Sequence, residues 1–195
     1  TEILKNDVLK NWYELYPERF QNKTNGITQR RWLGLCNPEL VKLISEKIGD
    51  GFLTDLYQLE NLKPFIDDSL AQDFIAVKRA KKEQLAAEIL KHEGVALNPD
   101  MIFDVQVKRL HEYKRQFMNA LSILNIYYKL KDGSLTDFTP TAYIFGAKAA
   151  AGYARAKAVI KLINMIADMV NNDPQTSHLL KVVFVQNYNC SWAEK

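Results

Sequence analysis

Cysteine is nearly absent: Cys36 and Cys190 are the only two in 195 residues, far apart and in no C-x-x-C pattern. That excludes a disulfide framework and a thiolate zinc site, and it fits a reducing compartment. Histidine is scarce too, and His92, His111 and His178 share no metal-ligand spacing. No apolar run approaches the roughly 18 residues of a membrane helix, and no charged-then-apolar leader opens the chain. A soluble cytoplasmic protein with no membrane partner is the expectation. Neither G-x-G-x-x-G nor P-loop spacing occurs, and there are no repeats or low-complexity tracts. A formal charge of +3 is too small to mark a nucleic-acid binder. The chain opens on Thr1 and stops on Lys195 just after a predicted strand, and is expected to be part of something longer.

What is present divides near residue 98. Residues 1–98 read as helices. Leu4, Val8, Trp12 and Leu15 form a helical stripe that Pro17 ends. Asn37, Pro38 and Gly49 mark the cap, first position and stop of a second helix with Leu40, Ile44 and Ile48 as its buried face. A third is expected from about Asp68 to His92, ended by Gly94. Residues 99–195 change character. "MIFDVQV", "TAYIFG" and "KVVFVQN" read as strands, separated by helices whose aligned apolar residues are Phe117, Leu121, Leu124 and Tyr128, then Ala158, Leu162, Met165 and Met169. That β-α-β-α-β order predicts an α/β fold: a helical segment followed by a partial Rossmann-like parallel sheet with apolar strands covered on both faces.

In an open parallel sheet ligands sit outside the carboxyl ends of the strands. The first such end, "FDVQVKRLHEYKRQF", places Lys108, Arg109, Lys114 and Arg115 within eight positions, with the helix expected to start near His111. Cations in a first helical turn oppose the helix dipole, so they ask for a reason. The second end, "FGAKAAAGYARAK", frames Lys148 between Gly146 and Gly152; four basic and no acidic residues lie between Phe138 and Ala167. The third is "NYNCSW". Basic side chains and helix amino termini at one edge favour an anion. The other basic run, "VKRAKKEQ" at 77–84, reads as a wet helix face because Glu83 and Glu88 break its sign.

Four stretches in order, "KTNGITQRRWL", "FDVQVKRLHEYKRQ", "GAKAAAGY" and "NYNCSWAEK", closely resemble the α-glucan phosphorylases of glycogen, starch and maltodextrin. The resemblance implies a GT-B glycosyltransferase, of which this chain holds the end of the amino-terminal domain, the crossover and the first half of the carboxyl-terminal Rossmann-like domain. It implies pyridoxal 5′-phosphate bound by a lysine outside this chain. The implied reaction is phosphorolysis of terminal α-1,4-glucosidic bonds by inorganic phosphate to glucose 1-phosphate, in a homodimeric parent. Arg109 and Lys114 then resemble the residues between cofactor phosphate and substrate phosphate, with Lys108 adding charge. Asn25 and Tyr113 resemble sugar-hydroxyl contacts, and Tyr188 a residue lining the cofactor pocket. Ala147 and Ala151 stand where the family usually has Gly and Pro, and Trp192 where Leu is typical. The chain alone is expected to be inactive, with an uncovered sheet edge or face. Two rivals are a dinucleotide-binding oxidoreductase fragment, which lacks its glycines after the first strand, and a helical polyanion-binding module using Lys78, Arg79, Lys81 and Lys82.

Overall fold

The computed structural model describes residues 1–195. It begins with short helical pieces: a π-helical turn at Leu4–Val8, helix α1 at Lys10–Leu15 and a 3₁₀ turn at Pro17–Arg19. The continuous helix expected here is broken. Leu4, Val8, Trp12 and Leu15 are all exposed, so the stripe buries nothing, and an unpartnered helix of this length is marginal.

Further on, local signals decide. A π-helical turn at Arg30–Leu35 leads into helix α2, Pro38–Ile48. The Asn37 side chain accepts from the Leu40 amide at 3.2 Å, Pro38 fills the first turn, and Gly49 leaves the helix at φ 74°. Of its expected face, Ile44 is buried while Leu40 and Ile48 are half-buried. Two 3₁₀ segments, Gly51–Leu53 and Leu56–Phe65, precede helix α3, Asp68–Glu93. The Asp67 carboxylate caps α3 at the Leu70 amide, 2.8 Å away, and Gly94 ends it in the left-handed region that glycine tolerates.

Three parallel strands follow, β1 (Ile102–Val107), β2 (Thr141–Gly146) and β3 (Leu180–Val185), lying side by side in chain order. Helix α4 (Gln116–Lys131) joins the first two strands and helix α5 (Ala154–Asn171) the last two. Pairing is in register: Val107 lies opposite Gly146, and Gly146 opposite Val185. All three carboxyl ends therefore meet at one edge.

Alternation along the strands builds two cores. Phe145, Leu180, Val182 and Phe184 pack with Ala120, Ile123 and Tyr127 of α4 and Ile163, Ile166 and Val170 of α5. Ala142, Ile144, Val183 and Val185 face the other way, onto Ala86 and Ile89 of α3 with Leu97 and Met101. This second core draws residues from both sides of position 98. Both faces of the sheet are thus covered, and the exposed part is the β1 edge, where Ile102 and Val105 are half accessible. The expected burial of every strand fails at β1, whereas β3, also an edge strand, is buried because its residues pack under α5 on one face and α3 on the other.

The expected faces of α4 and α5 are also displaced. Phe117, Leu121, Tyr128 and Met165 are exposed and Leu124, Leu162 and Met169 pack partly buried at the margin, while the core itself takes Ala120, Ile123, Tyr127, Ile163 and Ile166. The apolar sector of each helix is wider than one stripe, so several stripes compete, and packing on the sheet chooses the one with smaller residues. No helix is long and apolar enough to cross a membrane.

Candidate functional site

Beyond the last paired residues, the first two loops stay zipped together. The Lys108 amide donates to the Gly146 carbonyl at 3.0 Å, and the Leu110 amide to the Lys148 carbonyl at 3.2 Å. Leu110 is buried and anchors the loop, while its neighbours Lys108 and Arg109 are exposed. His111 is extended, Glu112–Lys114 form one 3₁₀ turn, and Arg115 then takes φ 63° before α4 begins at Gln116. The helix therefore starts later than expected, and Lys114 and Arg115 stand just before it, beside the positive end of its dipole. A non-glycine residue in the left-handed region is uncommon and costs on the order of 1 kcal/mol, and such residues concentrate at functional sites.

Charge at this edge is uncompensated. Neither Lys108, Arg109, Lys114 nor Arg115 has a carboxylate oxygen within 4.0 Å. Lys114 is half-buried with its Nζ 5.7 Å from the centre of the Tyr113 ring, and Tyr113 is 76% exposed. The nearby acid, Glu112, is engaged elsewhere. It accepts from the Tyr153 hydroxyl at 2.8 Å and from Arg155 at 3.2 Å. The Tyr153 bond and then Arg155 hold the Glu112 carboxyl below its usual range, and Glu112 in turn pushes the Tyr153 phenol up. This clasp ties the first loop to the start of α5, and His111 lies between the rings of Tyr113 and Tyr153, 5.6 and 5.9 Å away.

Helices α4 and α5 begin here with no side-chain cap and no acidic residue in the first turn. Their free amides add partial positive charge to that of the side chains. A recess of about 150 Å³ between them is lined by His111, Glu112, Arg115, Gln116 and Arg155. From the third strand end comes Tyr188. A Cβ on Gly146 would stand 2.9 Å from Val107 and 3.0 Å from the Tyr188 ring, so only glycine lets that ring rest against the end of β2.

Of the residues singled out from sequence, Lys108, Arg109, Tyr113, Lys114 and Tyr188 come together at this edge. Asn25 sits in the exposed stretch between Phe20 and Arg30 and makes no side-chain hydrogen bond to any of them. Sequence reading missed Tyr153 and three amides. Gln106 Nε2 donates to the Lys114 carbonyl at 3.3 Å, Asn119 Nδ2 to Gln106 Oε1 at 2.9 Å, and Gln116 Nε2 to the Arg109 carbonyl at 3.2 Å. Their only signal was polarity inside apolar runs, "FDVQV" and "QFMNALSIL".

The fold and the edge define an α/β protein whose strand ends carry cations with no carboxylate partner. Comparison with known proteins narrows that class. The family model for carbohydrate phosphorylase matches residues 1–195, and the chain belongs to that family. It is 48% identical to glycogen phosphorylase of Synechocystis, 50% to the brain form of Bos taurus and 47% to the muscle form of Homo sapiens. Each alignment covers 100% of this chain and 23% of the relative. The two rival readings, an oxidoreductase fragment and a polyanion-binding module, have no support from it.

Proposed function

We propose that this edge is the phosphate-holding part of a glycogen phosphorylase, acting in phosphorolysis of terminal α-1,4-glucosidic bonds to glucose 1-phosphate. The carrying observation is the set of three cations, Lys108, Arg109 and Lys114, left without carboxylate partners beside two uncapped helix starts. Unpaired cations repel one another, and two phosphoryl groups side by side repel as well, by about 4 kcal/mol for unit charges 4 Å apart at an effective dielectric of about 20. Bringing the sets together removes both penalties.

Arg109 holds phosphate oxygens as a two-pronged donor, and Lys114 acts as a point charge on the same oxygens. As the glycosidic bond breaks, positive charge grows on the sugar and stays next to the phosphate, and groups fixed beforehand stabilise that pair without reorganising. Tyr113, exposed at the rim, and Asn25 are assigned to sugar hydroxyls.

The resident cofactor is pyridoxal 5′-phosphate. The residues fit its phosphate, since the cations exceed what protein carboxylates neutralise, and the Tyr188 ring is seated against Gly146 at the end of the neighbouring strand. Arg109, Lys114 and Tyr188 would hold it, and when bound its phosphate supplies a proton donor or electrostatic partner to inorganic phosphate.

Arg109→Ala in the full-length enzyme should lower kcat/KM for phosphorolysis by about 10²–10³, as loss of a preformed charge partner does elsewhere. Near-normal turnover would remove the assignment.

A further inference from the structure

Lys108, Arg109 and Lys114 occupy a loop, and loops are poor places from which to aim a side chain to within half an ångström. Yet the backbone on either side of this stretch is held from beneath. The carbonyl of Lys114 receives the Gln106 amide from β1, and the carbonyl of Arg109 receives the Gln116 amide from α4. Asn119, one helical turn beyond Gln116, donates to Gln106 Oε1. That bond fixes which end of the Gln106 amide meets Lys114, because the oxygen is already taken. The Asn119 amide N–H itself donates to the Arg115 carbonyl at 3.1 Å, tying the same helical residue to the left-handed corner.

Gln116 is only 2% exposed, and its Oε1 has no partner. A buried acceptor left unmade costs about 1–3 kcal/mol, so an apolar residue would serve packing better here. What glutamine adds is the donor to Arg109. Both bonded carbonyl oxygens also carry negative charge that an approaching anion would oppose, and each is occupied by an inward amide.

We propose that Gln106, Asn119 and Gln116 are positioning residues: an amide brace that sets the peptides of Arg109 and Lys114 and so aims their side chains at phosphate. This rests on the phosphate reading above and deepens it. The brace acts through two other residues and makes no contact with the ligand itself.

The test uses the full-length phosphorylase with Gln106→Met, Asn119→Ala and Gln116→Met, alone and in the Lys114→Ala background. Three readouts are taken: KM for inorganic phosphate, KM for glucan, and inorganic phosphate affinity by calorimetry. Gln106→Met and Asn119→Ala should each raise the phosphate KM and Kd about tenfold, with glucan KM changing less than about twofold. Once Lys114 is gone, either change should add less than about twofold, since residues acting through one group are non-additive. Ile163→Val supplies a core control that lowers the melting temperature while leaving phosphate KM alone. Should Gln116→Met fail to fold, half-buried Asn119 decides. Lys114→Ala raising phosphate KM while Gln106→Met and Asn119→Ala leave it unchanged, or effects that simply add, would overturn the brace alone. Lys114→Ala leaving phosphate KM and Kd unchanged would overturn the phosphate reading and the brace with it.

Discussion

Two basic runs of similar composition, 77–84 on α3 and 108–115 after β1, have different fates. On α3 Arg79, Lys81 and Lys82 are spent on the protein, and Lys78 alone is left without a partner. Arg79 pairs with both Glu83 and Asp100, and Lys81 reaches Glu39 of α2 at 2.6 Å. Lys82 donates to the Met101 carbonyl at 2.5 Å and lies 4.7 Å from the centre of the Phe103 ring. After β1, Lys108, Arg109, Lys114 and Arg115 find no carboxylate at all. Helix starts follow the same division: Asn37 and Asp67 cap α2 and α3, while α4 and α5 are bare. The number of lysines and arginines does not mark a binding edge; whether the fold has already neutralised them does.

The largest contrast is in activity. Lys114→Ala in the full-length enzyme should lower phosphorolysis by about 10²–10³ while shifting the melting temperature little, because no ion pair is broken. The mirror-image change on the α3 side acts on stability alone. Ile89→Ala, fully buried where α3 meets the sheet, should destabilise by about 2–5 kcal/mol in chemical denaturation and leave the phosphate KM unchanged. A phosphate effect from Ile89→Ala larger than from Lys114→Ala would reverse the assignment of the two regions.

A third test concerns a compensated charge away from both runs. Asp173, after α5, accepts from Lys131 and from the Tyr127 hydroxyl, each at 2.8 Å, and from the Gln175 amide at 2.9 Å. The Lys131 bond is the largest cause, followed by Gln175 and Tyr127, and together they bring the Asp173 carboxyl to about 2 from its ordinary 3.8. Its folded value lies below its unfolded one, so its contribution is fully present above about pH 4 and lost as pH falls through about 2. Asp173→Asn should therefore lower the melting temperature at neutral pH. Between pH 5 and 2 it should also flatten that part of the pH dependence; an unchanged profile would remove the ion pair from the account.

Much of this was legible beforehand. The strands and the ends of α2 and α3 announce themselves through local chemistry: Asn37 as a cap, Gly49 and Gly94 as stops, with the Asp67 cap found only in the fold. Helix faces did not, because the apolar sector of α4 and of α5 is wider than one stripe and only the sheet selects Ile123 and Ile163 over Leu121 and Met165. The late start of α4 was hidden as well, since nothing in "HEYKRQ" signals that Arg115 turns left-handed. At the site, motif residues stood out and their supports did not. Gln106, Gln116 and Asn119 matter through carbonyl partners eight, seven and, via Gln106, thirteen positions away. Such distances are closed by the fold, not by the local sequence. Asn25 shows the reverse limit, a motif residue that the fold leaves exposed and without a side-chain hydrogen bond.

The smallest effect sharpens the comparison most. Arg79→Ala breaks two exposed ion pairs, and pairs of that kind contribute little, so the melting temperature should fall by no more than about 1–4 °C. Turnover, phosphate KM and its dependence on salt should stay as they were. If α3 were instead a second polyanion surface, the same substitution would weaken phosphate or polyanion binding, and more so at low ionic strength, where exposed charges act over about 10 Å or further. The Arg79 guanidinium keeps free N–H donors, but its charge is already offset by Glu83 and Asp100, whereas Arg109 faces no carboxylate.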